Sequence, residues 1–118
     1  MIVVYLKNLI PGDDVVKIKG NDEIGLRFEG HSNLAFKGSD IVCSAVSAIS
    51  QTSILAITKV AKVHQKIQQS NGFLESVIKI NGIKSSNLDK LMVILDTMFI
   101  GLKEIMKNYP NALRLIFE

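Results

Sequence analysis

Residues 41–58, IVCSAVSAISQTSILAIT, run for eighteen positions without a charged side chain. That is the length at which a helix can span a bilayer, so this stretch decides between a membrane and a globular reading. Seven of the eighteen are Ser, Thr or Gln, which favours burial in protein over burial in lipid. Ser39 and Asp40 can each cap the free N–H groups of a first turn, and the pattern continues to about Ala61. The apolar positions Ile41, Val42, Ala45, Val46, Ala48, Ile49, Ile54, Leu55 and Ile57 wrap around more than one face. Such a helix needs cover on several sides, from a sheet and from something else.

The rest of the chain supplies a sheet. MIVVYLKN (1–8) is β-branched and aromatic-rich, and Pro11-Gly12-Asp13-Asp14 is a turn. VVKIK (15–19) can continue a hairpin. EIGLRFEGH (23–31) alternates, with Ile24, Leu26 and Phe28 on one face and Gly25, Arg27 and Glu29 on the other. VHQKIQQ (63–69) and FLESVIKI (73–80) read as strands joined by a tight Ser70-Asn71-Gly72 turn. A second helix begins at Ser86 with Asp89 in a capping-box arrangement, carries a stripe from Leu88 to Met106, and stops at Pro110-Asn111. ALRLIFE (112–118) is a closing strand. These elements predict an α+β two-layer sandwich, with a mixed or mainly antiparallel sheet of about five strands and two helices.

At 118 residues the chain has room for one domain, expected over 1–118. Its 47% hydrophobic and 21% charged composition is that of a globular protein. The net charge of +3 is scattered, and its densest group, Lys59, Lys62 and Lys66, has no interleaved aromatics. It reads as a solvated surface, with no direct nucleic-acid binding expected. The single cysteine excludes an intramolecular disulfide and fits a reducing compartment. The first residues lack a basic leader and a small-residue cleavage site, so a cytoplasmic protein without a membrane segment is expected. One Cys and two His without clustered carboxylates predict no metal or other cofactor, and His64, among Gln65, Lys66 and Gln68, reads as surface.

Chemistry concentrates in GHSNLAFKGSDIVCSAVSA (30–48), which holds His31 and Cys43. The thiolate is the nucleophilic form of cysteine, and an ordinary thiol is only a few per cent ionised at neutral pH. A position early in a helix favours an anion by roughly 0.3–1 kcal/mol, less than the 1.36 kcal/mol equivalent to one pKa unit. A neighbouring imidazolium is the stronger lever. The bland alternative is a small core cysteine, since free cysteine is among the most buried residue types. Residues 32–39 read as a loop that can close over a site, with Gly38 as hinge and Leu34 and Phe36 able to touch substrate or pack on the core. Strict alternation puts His31 on the face of Arg27 and Glu29, opposite Leu26. His31 meets Cys43 only if the strand ends or bends at Gly30, which glycine permits.

This stretch resembles the signature of the ribosomal-processing cysteine proteases, the Prp family: a Gly-His opening, a loop ending Gly-x-Asp, and an Ile-Val-Cys helix start. MIVVYLKN is similar to that family's first strand, and FIGLKEIMKNYPNALRLIFE to its last helix and strand. The resemblance implies a cysteine endopeptidase that trims the N-terminal extension of a large-subunit ribosomal protein (number twenty-seven), beside a Phe-Phe-Ala sequence. It implies Cys43 as nucleophile, His31 as general base and Gly30 as hinge of the active-site loop. Asp40 would orient His31 or cap the helix, and Ser47 would support the thiol or pack one turn beyond it. A homodimer is also implied. Where the family has Ala-Gly-Tyr or similar after the histidine, this chain has Ser32, Asn33 and Leu34. The alternative of another class is a non-catalytic dimeric module that binds a ribosomal component.

Overall fold

The computed structural model describes residues 1–30 and 39–118, with Ser39 and Asp40 described through their backbone only. Alternation along the strands sets the architecture. In β1 (Ile2–Lys7) the residues Ile2, Val4 and Leu6 are buried, and in β4 (Glu23–Glu29) so are Ile24, Leu26 and Phe28. A short antiparallel pair, β2 (Leu9–Pro11) and β3 (Val16–Ile18), intervenes as a separate two-stranded sheet, so residues 15–19 close a hairpin with 9–11 and not, as expected, with strand 1–8. Asn8 takes a left-handed φ of 60° between β1 and β2, a conformation asparagine tolerates, and its side chain donates to the Glu23 carbonyl at 2.7 Å.

The five-stranded sheet has β5 (Lys66–Ser70) at one edge, then β6 (Phe73–Lys79), β4, β1 and β7 (Leu113–Phe117). β1 and β7 are parallel and the other pairs antiparallel, so the sheet is mixed and mainly antiparallel. Helices α1 (Ser39–Lys59) and α2 (Ser85–Asn108) cover the face carrying Val4, Leu26 and Ile78. Among the described residues no helix covers the opposite face, where Arg27 is stacked 4.0 Å over the Tyr5 ring and ion-paired to Glu29 at 3.2 Å. The fold is the expected α+β arrangement of two helices on one sheet.

α1 is long and apolar enough to cross a membrane by length and composition, yet it lies against the sheet with Val42, Val46, Ser50, Ile54 and Ile57 buried. Its second cover is α2, whose Leu91, Leu95, Met98, Phe99 and Leu102 are buried. Phe99 meets Phe117 edge to face at 5.8 Å. Asp96 accepts the Val16 N–H at 2.9 Å and so ties β3 to α2.

Several boundaries differ from the sequence expectation. α1 starts at Ser39 and ends at Lys59, two residues before Ala61, because Lys62 adopts φ 58° and turns the chain out of the helix. α2 starts at Ser85 with Lys84 as its N-cap and no side-chain cap bond, so Ser86 and Asp89 form no capping box. β5 begins at Lys66, because Gln65 is used elsewhere. Its amide donates to the Ile54 carbonyl at 2.7 Å and to Thr58 Oγ1 at 2.8 Å, and accepts from the fully buried Ser76 hydroxyl at 2.7 Å.

That bridge clamps the end of α1 to β6. Gln65→Ala strands a buried hydroxyl and is expected to cost about 1–3 kcal/mol, measured by urea denaturation. Ser76→Ala in the same background is expected to recover part of it, because the stranded group is then gone. Equal losses in the single and double variants would remove the bridge from the account.

Candidate active site

The cleft that holds the only cysteine forms where β4 ends, α1 begins and the β5–β6 hairpin turns. It has a volume of about 240 Å³. Ile2, Phe28, Val46 and Leu74 supply apolar lining, while Ser47, Gln51, Gln69, Ser70 and Asn71 supply polar groups. Cys43 and Gly30 also line it.

Gly30 explains how the strand leaves its alternation. β4 stops at Glu29, and Gly30 has φ +113°, in the region that side chains disfavour. Its N–H donates to the Gly72 carbonyl at 3.0 Å, which ties the strand end to the β5–β6 turn. A Cβ at this position would collide with the Met1 carbonyl oxygen and lie 3.3 Å from Ile2 Cα. The strand therefore ends before Gly30, and the backbone leaves extended geometry at that glycine. His31 and residues 32–38 of the expected 32–39 loop, with Leu34, Phe36 and Gly38, lie outside the described residues, as does the side chain of Asp40, while Ser39 is the first residue of α1.

Cys43 is half-buried and packs against the core while lining the cleft. With α1 starting at Ser39 it is the fifth helical residue, at the boundary of the first and second turns. That is slightly deeper than expected, where the helix-end field is already falling off. Ser47, one turn on, accepts from Gln51 Nε2 at 3.0 Å, and its carbonyl accepts from the buried Ser50 hydroxyl at 3.2 Å. The structure thus brings Gly30, Cys43 and Ser47 to one cleft. Asp40 is in the first turn of α1 by its backbone.

Sequence reasoning missed Gln51 and the hairpin wall with Gln69. Gln51 was legible in principle, two turns beyond Cys43 on the same helix face. Gln69 was not, because only the strand order brings β5 beside α1. His64 is exposed and lines a separate depression with Glu23, Lys66 and Lys79. Among the described residues no three His, Cys, Asp or Glu side chains are grouped to hold a metal ion.

A lone thiol near a helix start, opening on an apolar-floored cleft with polar walls, is the equipment of a cysteine hydrolase. A family profile described as cysteine protease Prp matches residues 14–114. The chain belongs to that family and is a cysteine protease. Comparison with curated proteins found no match. Among solved structures, it is similar to the essential ribosomal processing protease Prp from Staphylococcus aureus in complex with a substrate peptide. The two share 24% identity and a TM-score of 0.73, with each chain covered over 100% of its length. A complex of the same protease with a covalently linked product peptide gives 24% identity and a TM-score of 0.70, again over 100% of both chains. SMU.848 from Streptococcus mutans is similar at 20% identity and a TM-score of 0.64, covering 100% of this chain and 96% of its own. At these identities the likeness establishes the shared fold.

Proposed function

We propose that this protease removes the N-terminal extension of a large-subunit ribosomal protein (number twenty-seven), cutting beside a Phe-Phe-Ala sequence with a Cys43–His31 dyad. The observation that carries the dyad is the half-buried Cys43 lining a cleft shared with Gly30, the residue before His31. His31 takes the thiol proton as Cys43 Sγ attacks the scissile carbonyl. The tetrahedral adduct collapses to a thioester as His31 passes that proton to the leaving amine. Water, deprotonated by His31, then hydrolyses the thioester and regenerates the thiol. Backbone N–H groups at the start of α1 hold the oxyanion. Gly30 is the hinge, Asp40 caps the helix or orients His31, and Ser47 steadies the wall beside the thiol through its bond with Gln51.

The apolar lining of Ile2, Phe28, Val46 and Leu74 suits an aromatic side chain of the substrate. The ribosomal processing protease of Staphylococcus aureus, crystallised with a substrate peptide, supports the same substrate class. Ile41, Leu55, Val93 and Ile100 are each about half exposed or more on the helix layer, which supports assembly as a homodimer.

Incubation with a peptide containing Phe-Phe-Ala is expected to give one cut at that sequence, read by mass spectrometry. An intact peptide would overturn the substrate assignment. Iodoacetamide at neutral pH is expected to alkylate Cys43 on the order of tenfold faster than free cysteine, with His31→Ala removing most of the acceleration. Equal rates in the wild type and His31→Ala would remove His31 from the dyad.

A further inference from the structure

The sheet edge next to the cleft pairs with no further strand among the described residues. Among the described residues β5 pairs only with β6, and all five of its residues, Lys66 to Ser70, are exposed. Ser70 pairs with Phe73 across the two-residue turn Asn71-Gly72. The closing pair of such a turn is hydrogen-bonded, so the antiparallel alternation directs the N–H and C=O of Ile67 and Gln69 away from β6, toward the open edge. The register also puts Ile67 opposite Ser76 and Gln69 opposite Leu74, so both side chains are on the helix-covered face. Ile67 is nevertheless 46% exposed there.

The helix above this edge matches it. Cys43, Ser47 and Gln51 succeed one another at four-residue spacing, on one stripe of α1, and all three line the cleft with Gln69. Further along α1, the Ile54 carbonyl and Thr58 are joined to Gln65, which closes the space between helix and strand. What remains is a groove from Cys43 to Gln51. Eight helical residues span about 12 Å, the length of three to four residues of extended chain. It opens at one end on the thiol and is stopped at the other by Gln65.

We propose that three to four substrate residues on one side of the scissile bond bind here as an added strand on the free edge of β5, under the Cys43–Ser47–Gln51 stripe. This rests on the protease reading above and says how the substrate is held. The occupant is an extended polypeptide segment. Its backbone meets the outward N–H and C=O of Ile67 and Gln69, and its inward side chains cover Ile67 and the apolar cleft floor. Recognition by main-chain bonds with pockets for alternate side chains is the usual economy of strand addition.

The test uses the full chain and the peptide that the wild type cleaves. N-methylation of the peptide amides, one at a time, is expected to raise KM about fivefold or more at every second position on one side of the scissile bond. Intervening positions should change little, since their N–H groups point away from β5. Gln69→Pro deletes an outward N–H at an edge position that accepts proline. It is expected to raise KM clearly more than Gln69→Ala, which keeps that N–H, with kcat less affected. Sensitivity without a two-residue period, or equal KM for the two Gln69 variants, would overturn the added strand. The methylation series needs no folded variant, so it decides the matter even if Gln69→Pro is unstable. Failure of the wild type to cleave the unmodified peptide overturns the substrate assignment and the strand addition built on it. Cleavage without the periodic pattern overturns only the strand addition.

Discussion

Replacing Cys43 by alanine is expected to reduce cleavage of the Phe-Phe-Ala peptide by on the order of 10⁴-fold or more, to below detection in an endpoint assay. The magnitude follows from the role. In the proposed mechanism no thioester forms without the sulfur, and His31 is left with no proton to take. Stability should hardly change, because Cys43 is only half-buried and the substitution removes one sulfur atom. A loss well under 2 kcal/mol is expected, given what small truncations at partly exposed sites cost. The variant should also keep its affinity for the peptide, since the groove walls of Ser47, Gln51 and Gln69 remain. Titration of the peptide into Cys43→Ala should give a Kd close to the substrate affinity of the wild type. Residual cleavage above about one per cent would place the nucleophile elsewhere. A large fall in melting temperature would instead return Cys43 to the core role that its apolar neighbours suggest.

Much of the architecture was legible because its signals are local. Ile24, Leu26 and Phe28 alternate and are buried as alternation demands, and the stripe of α2 is buried at Leu91, Leu95, Met98 and Leu102. In the uncharged helix 41–58, Ser50 and Ser53 are buried and donate to backbone carbonyls of their own helix. The failures were in capping and adjacency. Ser86 and Asp89 have the spacing of a capping box, but the N-cap falls two residues earlier, at Lys84, whose side chain makes no cap bond. The far wall of the cleft was invisible because β5 and α1 become neighbours only through the strand order, a non-local fact. Gly30 was legible for a different reason. Parity made a bend there a condition of any His31–Cys43 chemistry, so a single residue could be singled out from sequence alone.

The demand on Gly30 makes Gly30→Ala the second large effect expected, and it separates geometry from chemistry. Two costs add at this position. An L-residue at φ +113° is strained by roughly 1–3 kcal/mol. The new Cβ also runs into the Met1 carbonyl, and backbone must move because Ile2 is itself bonded to the Ala112 carbonyl at 2.9 Å. A total of at least 2 kcal/mol corresponds to a fall in melting temperature of roughly 6–12 °C for a domain of this size. Gly20→Ala is the matched comparison. Gly20 has φ +80° with nothing within 4 Å of a built Cβ, and it lies in the turn between β3 and β4, away from the cleft. It carries the strain without the collision, so it should lose roughly half as much stability and keep its specific activity. Gly30→Ala should lose activity on the order of 100-fold beyond any loss of folded protein, because about 1 Å of misplacement at a reacting group is that costly. The discriminating measurement is activity per folded molecule well below both melting temperatures. If Gly30→Ala then cleaves like Gly20→Ala, the bend serves packing against Met1 alone. If it is folded but inactive, and Cys43 alkylation slows in parallel, the bend at the end of β4 is what presents His31 to the thiol.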